Sequence, residues 1–180
     1  MNHSKIIKSS DTRMFIFERP FDEKFVKKYA SNLNESGHSL INATFGMFYS
    51  LFQFANFFNL LIDKKNYTHV LKLRTDTLII KKNFLEGVDF TSKYLYVAQN
   101  PHTLKNQVSD HIFFSKTDVF LRLFLIKNIH QFIKEYKKNS IPEFYLYSLL
   151  KKKKIFFKPF FKRYIEYHII ANPTNPKMEG

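Results

Sequence analysis

The run "FGMFYSLFQFANFFNLLI", Phe45 to Ile62, limits more than any other segment what this chain can become. It carries no charge over 18 positions, so it must leave water, either for a membrane or for a protein core. Its length is at the short edge of a membrane span. Ser50, Gln53, Asn56, Asn59 and, just beyond the run, Asp63 recur every three or four positions and draw a polar stripe along one side of a helix. The reading is a largely buried helix from about Asn42 to Asp63 in a soluble fold.

Such a helix needs partners, and the segments after it supply them. "YTHVLKLRTD", Tyr67 to Asp76, has the period of a buried strand, with His69, Leu71 and Leu73 on one face and Val70, Lys72 and Arg74 on the other. Arg74 and Asp76 share a face at its far end. That is either a surface ion pair or a ligand site at the carboxyl end of a sheet strand. Tyr94–Asn100 and Ser109–Ser115 are two more strands. Lys116–Lys138 reads as one long helix capped by Thr117 or Asp118, and a further helix starts at Pro142, where a first-turn proline belongs. Strand-like alternation returns from Lys154 to Ile170. Before the apolar helix, two short strands within residues 1–20, a helix over Asp22–Leu33 and a turn at Asn34–His38 are expected. Alternating helices and strands predict an α/β fold with a mixed sheet. The chain divides into a single domain over 1–170 and a flexible tail over 171–180.

Composition removes several functions. There is no cysteine, hence no disulfide framework and no thiolate metal site. With four glycines and no Gly-rich phosphate loop, the patterns of Rossmann dehydrogenases and P-loop NTPases are absent. The seven histidines are scattered, and His69 reads as a packing residue rather than a ligand. The polar opening residues look like the interior of a domain rather than a leader.

The formal charge of +14 is unevenly spread. Between Leu121 and Arg163, twelve Lys and Arg residues face only Glu135 and Glu143. Such an excess suits an anionic partner: a phospholipid surface, a nucleotide-linked substrate or nucleic acid. The plain alternative is a solvated lysine face.

Three carboxylates fall at element ends: Asp76 after one strand, Asp110 just before another and Glu143 in the first turn of a helix. Gathered at one end of a sheet they would hold a divalent metal through oxygen, with one of them a general base.

The strand "YTHVLKLRTDTLI" resembles the one ending in an R-x-D element in WavE-type lipopolysaccharide-synthesis proteins and related GT-A-like glycosyltransferases. "NQVSDHIFFSKTDVF" is similar to that family's SDxFFxG strand, "IPEFYLYSLL" to its PE-hydrophobic helix, and "FGMFYSLFQFANFFNLL" to the helix preceding R-x-D. The resemblance covers roughly Asn42 to Lys154. It implies a GT-A-like, mostly parallel mixed sheet flanked by helices, lacking part of the usual N-terminal nucleotide-binding region. It also implies transfer of a sugar from a nucleotide donor to a cell-surface glycan or lipopolysaccharide acceptor. Arg74 and Asp76 would then lie at the donor diphosphate, with Arg74 offsetting phosphate charge and Asp76 contacting a metal, Mn²⁺ or Mg²⁺. Asp110 or Glu143 would take the acceptor proton. An Arg in place of the first carboxylate of D-x-D suits phosphate and costs a metal one oxygen ligand. The place implied is the cytoplasmic face of a membrane, with the basic stretch against anionic lipid. Two other readings are a GT-A-like scaffold that has lost catalysis and a basic nucleic-acid-binding module. Against the latter, the aromatic residues lie in periodic apolar runs that core packing explains.

Overall fold

A computed structural model of the chain describes residues 41–61, 67–74, 77–99, 105–126, 132, 141–163 and 165–169, with side chains in the first helix described from 46 to 60. The elements expected before residue 41 and the tail 171–180 lie outside the described residues, as do Thr75 and Asp76.

The uncharged run forms α1 (Ile41–Leu61). Phe48, Phe52, Ala55 and Phe58 fall at helical spacing and are buried, while Gln53 is exposed. The amide of Asn56 turns back to the Phe52 carbonyl at 2.9 Å, so this part of the polar stripe satisfies itself within the helix. Among the described residues, no helix is long and apolar enough to cross a membrane.

The chain then runs through β1 (His69–Leu73), β2 (Thr77–Ile79), β3 (Leu95–Gln99), β4 (Ile112–Lys116), α2 (Thr117–Phe124), α3 (Pro142–Lys152), β5 (Phe157–Lys162) and β6 (Tyr167–Ile169). Four strands make one sheet in the order β1-β4-β3-β5, and β2 pairs with β6 in a separate ribbon. The architecture is mixed α/β, but the sheet is not mostly parallel. β4 runs antiparallel to both β1 and β3, and only the β3–β5 pair is parallel. The connections account for this. From Gln99 to Ile112 the described residues contain turns and no helix, which lets the chain reverse. The path from β3 to β5 passes through α2 and α3, the kind of crossover a parallel pair needs.

Alternate residues of the strands feed two cores. Leu95, Val97 and Phe113 pack beneath α1, α2 and α3, with Phe48 edge-on to Tyr145 at 4.8 Å and Phe113 stacked on Phe124 at 5.5 Å. Tyr96, Ala98, Ile112 and Phe114 face the other way, against Phe84, Phe161 and Tyr167. Among the described residues the aromatic rings are thus largely consumed by packing; Tyr67, Phe90, Tyr94 and above all Phe156 are the exposed ones.

Two local expectations change. β1 is a terminal strand of the described sheet rather than a buried one, and Leu71 and Leu73 are more than a third exposed. Its inner face carries Val70 and Lys72. The helix expected to run from Lys116 to Lys138 ends at Phe124, where Leu125 is extended (φ −72°, ψ 114°). Its cap also differs. The Thr117 hydroxyl donates to the Tyr67 carbonyl, and Lys116 occupies the N-cap position without a side-chain bond. Thr117 therefore ties the start of β1 to the end of β4. The Pro142 helix and the strands after Lys154 form as expected. At the β5 edge, Lys158, Pro159 and Lys162 are exposed, residues that discourage pairing with a further strand.

Candidate functional site

Because β4 runs opposite to its neighbours, β1, β3 and β5 all point their carboxyl ends toward the amino end of β4. Residues at those ends meet there. Leu73 pairs with Ile112, so the next antiparallel step brings Arg74 level with His111. The Thr77 N–H donates to the Arg74 carbonyl at 3.1 Å, closing a turn over the R-x-D element. Arg163, just beyond β5, donates its N–H to the carbonyl of Gln99 at the end of β3. On the approach to β4, the Val108 N–H donates to the Glu143 carbonyl at 3.1 Å, so the first turn of α3 touches the loop that carries Asp110.

Lys72 braces this corner from the inner face of β1. Its ammonium donates to the Asp110 carbonyl and, at 3.4 Å, to the His111 carbonyl. It also lies 3.7 Å from Met47 Sδ and 5.2 Å from the Phe113 ring centroid. A half-buried cation needs such partners, because burial without them is costly.

Asp110 and His111 are buried, at 5% and 8% exposure. The His111 N–H reaches Ser109 Oγ at 3.4 Å, and His111 Nδ1 lies 3.3 Å from the Tyr167 hydroxyl on β6. Burial pushes the His111 imidazole down to about 4; Arg74, Arg163 and Lys72 add to that depression, and Asp110 opposes it. The ring is neutral near pH 7. Three cations and one carboxylate thus act on the same buried imidazole, and the local balance is positive. In the same turn, the Thr77 hydroxyl is buried without a hydrogen-bond partner, a group that an added acceptor would satisfy.

Of the residues singled out in the sequence, Arg74 and Asp110 both lie near His111, and the Glu143 backbone carbonyl bonds the loop that leads to Asp110. Asp76 lies outside the described residues. His69 is a packing residue: its ring stacks on Phe114 at 5.3 Å and its Nε2 bonds the Phe90 carbonyl. Sequence reasoning missed Lys72, His111, Arg163 and Tyr167. A lysine on the inner face of an apolar strand and a histidine next to the candidate aspartate were the available signals. Arg163 was hidden in a basic run, and nothing local marked Tyr167.

The described residues do not fit a divalent cation. No three of their carboxylate or imidazole groups converge, and the imidazole beside Asp110 sits in the field of three positive side chains. What the corner suits is an anion: guanidinium groups match phosphate oxygens as forks, and a buried carboxylate stands beside them.

No family model, curated protein or solved structure matches this chain.

Proposed function

We propose that this chain is a nucleotide-sugar-dependent glycosyltransferase whose donor diphosphate lies at the carboxyl ends of β1, β3 and β5, and whose acceptor is a cell-surface glycan or lipopolysaccharide. The observation that carries this reading is that Arg74, level with His111 in the β1–β4 register, acts together with Arg163 and Asp110 on the one buried His111 imidazole. The order of the elements supports it, since the R-x-D strand, the SDxFF strand and the PE helix converge on one loop.

In this scheme Arg74 and Arg163 offset the charge of the diphosphate, most of all as it departs. Asp110 accepts the proton of the acceptor hydroxyl while that oxygen bonds to the anomeric carbon and the sugar–phosphate bond breaks toward the nucleotide. Neutral His111, held by Tyr167, keeps a hydrogen-bonding group in the pocket without adding a further positive charge beside Asp110. Glu143 is the second candidate for the base. Asp76, as the resemblance has it, would complete the donor site, with or without Mn²⁺.

The direct test is a thermal-shift screen of the full chain against UDP- and GDP-sugars with and without Mn²⁺, followed by turnover of the stabilising donor. A donor that raises the melting temperature of the wild type and not of Arg74→Ala supports the site. Unchanged turnover in both Asp76→Ala and Asp110→Asn would sink the assignment.

A further inference from the structure

At the opposite end of β5 the chain presents a second group of positive charge, built quite differently. α3 ends in "KKKK", Lys151 to Lys154, and the chain enters β5 through Ile155 and Phe156. Phe156 is 76% exposed, although Ile155 before it is buried. Tyr94, 46% exposed at the entry to β3, meets Phe156 edge-on at 6.5 Å. The Leu95 N–H donates to the Phe156 carbonyl at 2.9 Å, so the exposed ring stands on a backbone fixed by the sheet. Lys93 next to Tyr94, Lys154 and Lys158 two positions either side of Phe156, and Lys151 and Lys152 in the last turn of α3 are exposed, with the Lys151 ammonium 5.3 Å from the Tyr147 ring centroid.

Part of this has a structural explanation. Lys151 and Lys152 lie in the last turn of α3, where cations complement the helix dipole. Lys154 has none. The Lys154 N–H bonds the Lys151 carbonyl and the Ile155 N–H bonds the Leu150 carbonyl, the paired bonds of a Schellman ending. Lys154 itself takes a left-handed conformation, φ +53°, that favours glycine. Here a lysine occupies it, at a cost in stability. An exposed phenylalanine beside it is likewise unfavourable in water. Two locally disfavoured choices stand side by side, and one partner rewards both.

We propose that this corner of α3, β3 and β5 docks onto an anionic phospholipid bilayer, with Phe156 and Tyr94 entering the interfacial layer and the lysines on the headgroups. An aromatic ring inserts at the interface while surrounding lysine stems lie along it and keep their ammonium groups among the phosphates. The described cations are all lysines, point charges suited to a diffuse surface potential, rather than the guanidinium forks that single out one phosphate or base. The proposal needs no step of the transferase reading.

The test is flotation of the full chain with vesicles of phosphatidylcholine alone or with phosphatidylglycerol. The wild type binds only the anionic vesicles, and less as salt rises. Lys152→Gln/Lys158→Gln weakens binding by about fivefold per lysine. Lys82→Gln/Lys105→Gln removes the same charge from exposed positions elsewhere and leaves binding unchanged. Phe156→Ala weakens it by about tenfold or more even at low salt. Lys154→Gly weakens binding while raising the melting temperature, which separates lost docking from lost folding. Equal losses in the two double variants, or no effect of Phe156→Ala, overturns the proposal. So does retention of a single-stranded oligonucleotide without any vesicle binding, which assigns the corner to nucleic acid.

Discussion

The two ends of β5 hold positive charge in opposite ways. At the carboxyl end, Lys72 and Arg74 are half-buried, and with Arg163 they act on the buried His111 imidazole. At the amino end, Lys151, Lys152 and Lys154 stand in water beside exposed aromatic rings. Six strand residues separate the ends, roughly 20 Å. Residue type does not explain the difference, since lysine occurs at both. Burial does: a cation withdrawn from water must be held by carbonyls, whereas an exposed one keeps most of its hydration.

The largest effect expected at the inner end is catalytic. Asp110→Asn should lower sugar transfer by about 10²–10⁴-fold, the usual worth of a positioned base, with the donor-induced thermal shift retained. If Glu143→Gln shows that loss instead, the base is in the first turn of α3. The next contrast concerns stability. Lys72→Ala leaves the Asp110 and His111 carbonyls without their shared donor and should cost about 2–3 kcal/mol in urea unfolding. Lys152→Gln, at the outer end, should stay within about 0.5 kcal/mol. Similar values for the two would erase the distinction drawn here.

Acid sharpens the comparison further. His111 is depressed in the folded state from the ordinary 6.5 to about 4, so between those values the unfolded chain binds the extra proton. Its contribution is complete above about pH 6.5 and is lost as pH falls toward 4. The loss reaches at most roughly 3 kcal/mol. His111→Gln should flatten that part of the stability–pH curve, and an unchanged curve would place the acid sensitivity elsewhere. The smallest effect is a gain: Lys154→Gly should stabilise the fold by about 0.5–1 kcal/mol, read as a raised melting temperature.

Much of this was legible in the sequence because its signals are local. The uncharged run with its polar stripe, the alternation around Leu71 and the first-turn Pro142 each reflect a period or a backbone preference that neighbouring residues impose. Arg74, Asp110 and Glu143 were visible as element ends for the same reason. The end of α2 was not, because Leu125 to Lys138 keeps an apolar pattern, yet at Leu125 the chain leaves helical geometry. Nor was the antiparallel insertion of β4, which follows from how the connections reverse rather than from any strand's own residues.

By itself, then, the sequence determined where the apolar helix, the strands around Leu71, Val97 and Phe113 and the Pro142 helix would stand, and which polar residues would lie near their ends. Only the tertiary structure decided that Lys72 would brace Asp110 and His111, that Arg163 would arrive from the far end of the chain, and that Tyr167 would meet His111. Those pairings join residues distant in sequence, and strand order, which no local pattern encodes, brings them together. The same order left positive side chains half-buried at one end of β5 and exposed at the other.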